Sequence, residues 1–189
     1  SLSLLAYVGG DDRLLAANLL AVKLTIAWAE KNLAETRMKG EGGKVVPVKT
    51  GNLLVALFQH DTNRNQEPNA HFHAVIANVT RGADGKWRAL RNDKLWQHNT
   101  LLNAMTMARF RLSVEKLGYE VGEFGKHGNF EAMGVPKDVR DAFSSRRAEI
   151  LDRLATMEGR GLAARSAANL MTRADKGRIE DRDALRQQW

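Results

Sequence analysis

The runs Leu53 to His60 (LLVALFQH) and His71 to Thr80 (HFHAVIANVT) are apolar and rich in β-formers, and only the polar stretch from Asp61 to Ala70, stiffened by Pro68, separates them. Runs of this length and composition read as strands, and a connection this short allows neighbouring strands to pair antiparallel. The first run is apolar enough to be buried on both faces. The chain is thereby committed to a sheet whose paired strands carry histidines at facing ends.

Residues two apart on a strand share a face, so His71 and His73 project side by side while Phe72 faces the opposite layer. Pairing of the two runs brings His60 beside them. Three neutral imidazoles form one face of a coordination sphere and leave positions for substrate oxygens, which is the arrangement of a catalytic rather than a structural metal site. An ion held this way can polarise a phosphoryl or carbonyl oxygen, lower the pKa of a water, or orient a displacement. An H-x-H pair on a strand is also met as two histidines with ordinary hydrogen bonds. A cupin site begins with the same pair, but it needs a glutamate soon afterwards and AVIANVT supplies none. Asp61 and Glu67 are placed either to orient an imidazole from behind or to keep the loop soluble. His98, near a helix start, and His127, in a GKHGN turn, read as surface residues.

There are no cysteines, so disulfides, thiol catalysis and thiolate zinc sites are excluded, and any metal must use His, carboxylate or water. No G-x-S-x-G elbow, P-loop or H-E-x-x-H stands in the chain. The formal charge of +7 favours an anionic partner such as nucleic acid, although the basic residues are spread along the sequence.

With 189 residues, 43% hydrophobic and 27% charged, the chain suits one globular domain with appendages. The opening SLSLLAYVGG, with no basic segment before it, is not expected to be a signal peptide, and no run is long enough to predict a bilayer span. Leu15, Leu19, Val22, Ile26 and Leu33 predict a long helix capped by Asp11 or Asp12 and ending near Met38 to Gly40. KVVPVKT (Lys44 to Thr50) predicts a strand, and Arg81 to Gly85 turns His71–Thr80 into a hairpin with Lys86 to Leu90. Thr100 caps a second helix with Leu101, Met105, Ala108 and Leu112 inward, which Gly118 stops. A second hairpin is expected between Tyr119 and Gly134, and a third helix over Val139 to Leu154 after Pro136. Residues 1–155 form the main body. Residues 156–189 read as a charged, weakly packed helical arm.

The segment GNLLVALFQHDTNRNQEPNAHFHAVIANVT resembles the three-histidine motif of the TrwC/TraI-type conjugative relaxases. It carries in order the G-N-L strand, H-D-T, the arginine, Glu-Pro, H-x-H and the closing A-N-V-T. GGDDRL, the K-W hairpin strand, LGYE, GKHG, GVP, AFSSR and a late T-R-x-x-K are also similar to that family, so the resemblance covers nearly the whole chain. It implies a palm-like α+β fold, an antiparallel sheet flanked by helices, and a metal-dependent, cytoplasmic nickase. Such an enzyme cuts one strand of single-stranded DNA at a plasmid transfer origin, with other conjugation proteins as further partners. It also implies that His60, His71 and His73 hold a divalent ion (Mg²⁺, Mn²⁺ or Zn²⁺) and that Arg64, Arg173 and Lys176 meet DNA. The family's nucleophilic tyrosines lie upstream of the turn at which this sequence opens, so the first strands and the attacking tyrosine are expected to be missing. Tyr7 and Tyr119 read as packing or surface residues. The chain is therefore expected to be inactive alone. The alternatives are a fragment that binds metal and single-stranded DNA without chemistry, and a hydrolase acting through metal-bound water.

Overall fold

The computed structural model describes residues 1–189 except 126, 127, 158, 160, 174–176 and 178. The fold is α+β. In chain order it has α1 (Leu2–Tyr7), α2 (Arg13–Leu33), β1 (Glu35–Lys39), β2 (Val45–Lys49), β3 (Val55–Thr62), β4 (Pro68–Ile76), β5 (Val79–Arg81) and β6 (Trp87–Ala89). The helices α3 (Asp93–Gln97), α4 (Asn99–Lys116), α5 (Lys137–Ala142), α6 (Ser145–Ala155), α7 (Leu162–Met171) and α8 (Arg182–Gln187) follow. Among the described residues the strands form three two-stranded ladders, β1 with β2, β3 with β4 and β5 with β6.

Two compact units emerge. In the one built on α2 and α4, the buried face of α2 runs from Leu14 to Leu33, and its middle is made of small residues, Ala17, Ala21, Thr25 and Ala29, which lets α4 approach closely. At the crossing the Thr25 hydroxyl accepts from the Thr106 hydroxyl and from the Arg109 guanidinium, both at 3.0 Å. A cluster of Ala29, Leu33, Ala34, Leu53, Leu90 and Leu95 lies at the far end of α2, with Trp28, Val55 and Leu102 against it. The other unit gathers α1, the β3–β4 turn and α5 to α8. There Arg146 on α6 donates to the Thr172 carbonyl and, at 3.0 Å, to the Asn169 carbonyl, satisfying the last carbonyls of α7.

Several elements differ from the sequence expectation. The long helix stops at Leu33 rather than near Gly40, because residues 35–39 pair with β2, Thr36 opposite Val48 and Met38 opposite Val46. Glu35 is buried there and ion-paired with Lys94, while its carbonyl accepts from Arg91 at 2.7 Å. Cross-strand pairing outweighs the helical spacing. The run Leu53 to His60 is not buried on both faces, since Leu54 and Phe58 are more than half exposed. On α4 the inward residues are Phe110 and Val114, with Thr106 at the crossing, while Leu101 and Leu112 face out. Thr100 does not cap that helix; its hydroxyl donates to the Asn99 side chain and His98 takes the cap position. Of the expected hairpin after Tyr119, the described residues show one bridge, between Val121 and Ala132. The third helix divides at Phe143 and Ser144 into α5 and α6. Its break is fixed because the Ser145 amide donates to the Glu67 carboxylate at 2.7 Å instead of to a helical carbonyl.

A candidate three-histidine metal centre

β3 and β4 are adjacent strands joined by the turn of residues 63–67, too short for anything but an antiparallel pair. The Asn63 amide donates to the Glu67 carbonyl at 3.0 Å at one end of the ladder, and the Ala77 amide to the Leu54 carbonyl at 2.9 Å at the other. These bonds bracket the ladder and bring the His60 end of β3 alongside the start of β4. The expected loop over 61–70 is thus shorter, because pairing extends β3 through Thr62 and starts β4 at Pro68.

His60, His71 and His73 each offer a ring nitrogen, and these atoms all lie within 4.8 Å of one another. The His71 and His73 rings stand edge-on, with centroids 5.0 Å apart and planes inclined 69°. His60 and His71 are half-buried and His73 is exposed, so the cluster opens outward. It is the one such group among the described residues. The donor set fits a divalent ion: three imidazoles can close on one ion at about 2.0–2.2 Å, and a borderline-soft metal such as Zn²⁺ suits them better than the harder Mn²⁺ or Mg²⁺.

Burial alone would push the Asp61 carboxyl up, but the hydrogen bond and charge of Arg182, with help from Arg186, hold it below its usual value. Burial would likewise raise Glu67, and bonds from Ser145 and Asn63 hold it low instead. Asp61 takes Arg182 at 2.5 Å and Arg186 at 3.4 Å. Glu67 takes the Ser145 amide at 2.7 Å and the Asn63 side chain at 2.5 Å. These hydrogen bonds hold the end of β3, through Asp61, and the turn, through Glu67. The turn is tied further by Asn63 Oδ1, which accepts from the Asn65 and Glu67 amides at 2.9 and 3.1 Å.

Arg64 sits half-buried in this turn. Arg173 is exposed just beyond α7, and Lys176, like His127, lies outside the described residues. His98 directs Nδ1 at the Lys94 carbonyl, 2.8 Å away, as a helix-end residue. Tyr7 packs its ring 5.8 Å from that of Trp189 and its hydroxyl is buried; Tyr119 is half-buried at the end of α4. Two features escaped the sequence reading. One is a cleft of about 610 Å³ beside the turn, walled by Phe143, Ile150 and Leu154 with Arg147 and Arg165 at its rim. The other is the grip of α8 on Asp61, for which the spacing of Arg182 and Arg186 behind the capping Asp181 was the available signal. Among the described residues no helix is long and apolar enough to cross a membrane.

Comparison with known proteins adds to this geometry. The family model of the TrwC relaxases matches residues 1–189. The multifunctional conjugation protein TraI of Escherichia coli is 41% identical over 189 residues, covering 95% of this chain and 10% of TraI. TraI of strain K12 matches to the same extent, so the chain spans about a tenth of the length of these curated relatives. The conjugative relaxase TrwC in complex with oriT DNA, solved metal-free, superposes with a TM-score of 0.92 at 37% identity, covering 100% of this chain and 67% of that one. The metal-bound and copper-bound complexes of TrwC with oriT DNA each give a TM-score of 0.91 at 37% identity, covering 100% of this chain and 66% and 64% of theirs.

Proposed function

This chain belongs to the TrwC relaxase family, and from that premise we propose that it is the metal-bearing part of a conjugative relaxase domain, acting in the cytoplasm with other conjugation proteins. Its substrate is one strand of single-stranded DNA at a plasmid transfer origin, cut by transesterification. The observation that carries this reading is the convergence of His60, His71 and His73 on one hairpin, their ring nitrogens within 4.8 Å of one another.

In this reading the three imidazoles hold a divalent ion through one face, and the exposed side at His73 is left for the DNA. When bound, the ion supplies positive charge against the non-bridging oxygens of the scissile phosphate as charge builds on them. The chain's own residues do the rest. Asp61 and Glu67, both buried, hold the turn between the histidine-bearing strands. Arg64 and Arg173 meet the phosphate backbone, as does Lys176, and the Arg147 and Arg165 rim adds to them. The apolar wall of Phe143, Ile150 and Leu154 offers a surface on which a base can lie.

The attacking hydroxyl does not come from Tyr7, whose oxygen is buried, nor from Tyr119, half-buried behind α4. That burial favours a second reading, in which this chain alone grips metal and DNA without cutting. Incubation with a transfer-origin oligonucleotide and Mn²⁺ separates the cases. Retention of intact DNA is the expected result for the chain alone, with nicking when a tyrosine-bearing relaxase segment is added. A covalent adduct formed by the chain alone would overturn the assignment of Tyr7 and Tyr119, and cleavage without any adduct would point to a hydrolase using bound water.

A further inference from the structure

Arg182, Arg186 and Trp189 stand four and three residues apart at the end of the chain, the spacing that places side chains on one side of a helix. Two of them reach Asp61 near the end of β3, and the third reaches the turn that follows it. Arg182 Nη1 lies 2.5 Å from Asp61 Oδ1, and Arg186 Nη2 lies 3.4 Å from Asp61 Oδ2. Trp189 Nε1 donates to the Gln66 carbonyl at 2.9 Å. Gln66 is the one non-glycine residue with positive φ among the described residues, at 61°, so this carbonyl belongs to a backbone that needs outside support. Two of these side chains are themselves braced: the Tyr7 ring lies 5.8 Å from the Trp189 ring and 5.8 Å from the Arg186 guanidinium carbon. Asp181 caps α8 by accepting from the Asp183 and Ala184 amides at 2.9 and 3.0 Å.

Asp61 directly follows His60 on β3. Side chains alternate along a strand, so a carboxylate gripped on one face fixes the backbone from which the neighbouring imidazole projects on the other. We infer that α8 is a clasp, and that Arg182, Arg186 and Trp189 are positioning residues that act through Asp61 and Gln66 to set His60 for metal capture. The inference rests on the reading of His60 as a ligand. It gives the chain's last turn of helix a part in the centre that sequence order alone places far away.

The test uses the full 189-residue chain, the double variant Arg182→Ala with Arg186→Ala, and the single variant Arg182→Lys. Two readouts are taken: calorimetric titration with MnCl₂ in the absence of DNA, and the imidazole ¹H–¹⁵N resonances without metal. The double variant is expected to bind Mn²⁺ about tenfold more weakly, the scale of losing an outer partner of a metal ligand. Its His60 resonances move while those of His98 stay, and Arg182→Lys recovers most of the affinity because it restores a cation at Asp61. A folded double variant with unchanged Mn²⁺ affinity and an unmoved His60 overturns the clasp. If circular dichroism shows that the double variant does not fold, Trp189→Phe takes its place, since it keeps the ring beside Tyr7 and removes only the donor to Gln66. Severalfold weaker Mn²⁺ binding then supports the clasp, and unchanged binding overturns it. If the unaltered chain binds no Mn²⁺, the metal reading fails and takes the clasp's part in metal capture with it, whereas Mn²⁺ binding that is equally tight in a folded variant refutes the clasp alone.

Discussion

His71 and His73 sit two residues apart on β4 with ring centroids 5.0 Å apart and planes inclined 69°. Rings set edge-on in this way aim nitrogens toward a shared point without stacking, and His60 completes the group. Replacing His71 with alanine leaves two ligands, and Mn²⁺ affinity is expected to fall at least tenfold, no less than for the loss of an outer partner. Calorimetry showing the same affinity in the variant would remove these histidines from the metal role.

Asp61 links pH to stability. Its folded carboxyl is held below the ordinary value of 3.8. A depressed carboxylate stabilises the fold above its unfolded pKa, and this contribution disappears as pH falls through the lower folded value. Asp61→Asn is thus expected to cost about 1–2 kcal/mol at neutral pH. The gap in Tm between the two proteins should hold down to the unfolded pKa of 3.8 and close below it. A gap that widens on acidification contradicts the assignment.

Glu67 accepts from a backbone amide and from an amide side chain, and both donors are in place at 2.7 and 2.5 Å. Glu67→Gln keeps an acceptor for Ser145 but turns an NH₂ toward the Asn63 NH₂. A buried donor facing a donor costs about 1–3 kcal/mol. Urea unfolding monitored by tryptophan fluorescence reads this as a lower midpoint at constant slope, and an unshifted midpoint rules it out.

Arg147 and Arg165 rim the apolar cleft beside the turn. If each meets one phosphate of a single strand, removing both lowers the slope of log affinity against log salt by about 1.4, at roughly 0.7 per phosphate. Fluorescence anisotropy with a labelled single-stranded oligonucleotide over a salt series measures it. An unchanged slope in the Arg147→Ala, Arg165→Ala protein takes the DNA path elsewhere.

Much of this centre was legible in the sequence because its parts are local. The strand character around His60 and the period-two spacing of His71 and His73 are short-range signals, and the structure brings these three residues together. What escaped was set by long-range partners. The end of α2 at Leu33 depends on Glu35 finding Lys94 and Arg91. The inward face of α4 follows from Thr106 meeting Thr25 across 81 residues, which turned Leu101 and Leu112 outward against their hydrophobicity. The break before α6 needs a carboxylate 78 residues away. No windowed pattern contains such pairs.

The separation between Asp61 and Arg182, 121 residues in sequence, also bears on the order of folding events. A hairpin closes in microseconds, whereas a contact this distant must await closure of a long loop. The three imidazoles are thus gathered early and the clasp arrives late. On this order a hairpin formed first would offer its imidazoles before α8 docks, and any gain in metal affinity on docking would report that α8 has reached Asp61.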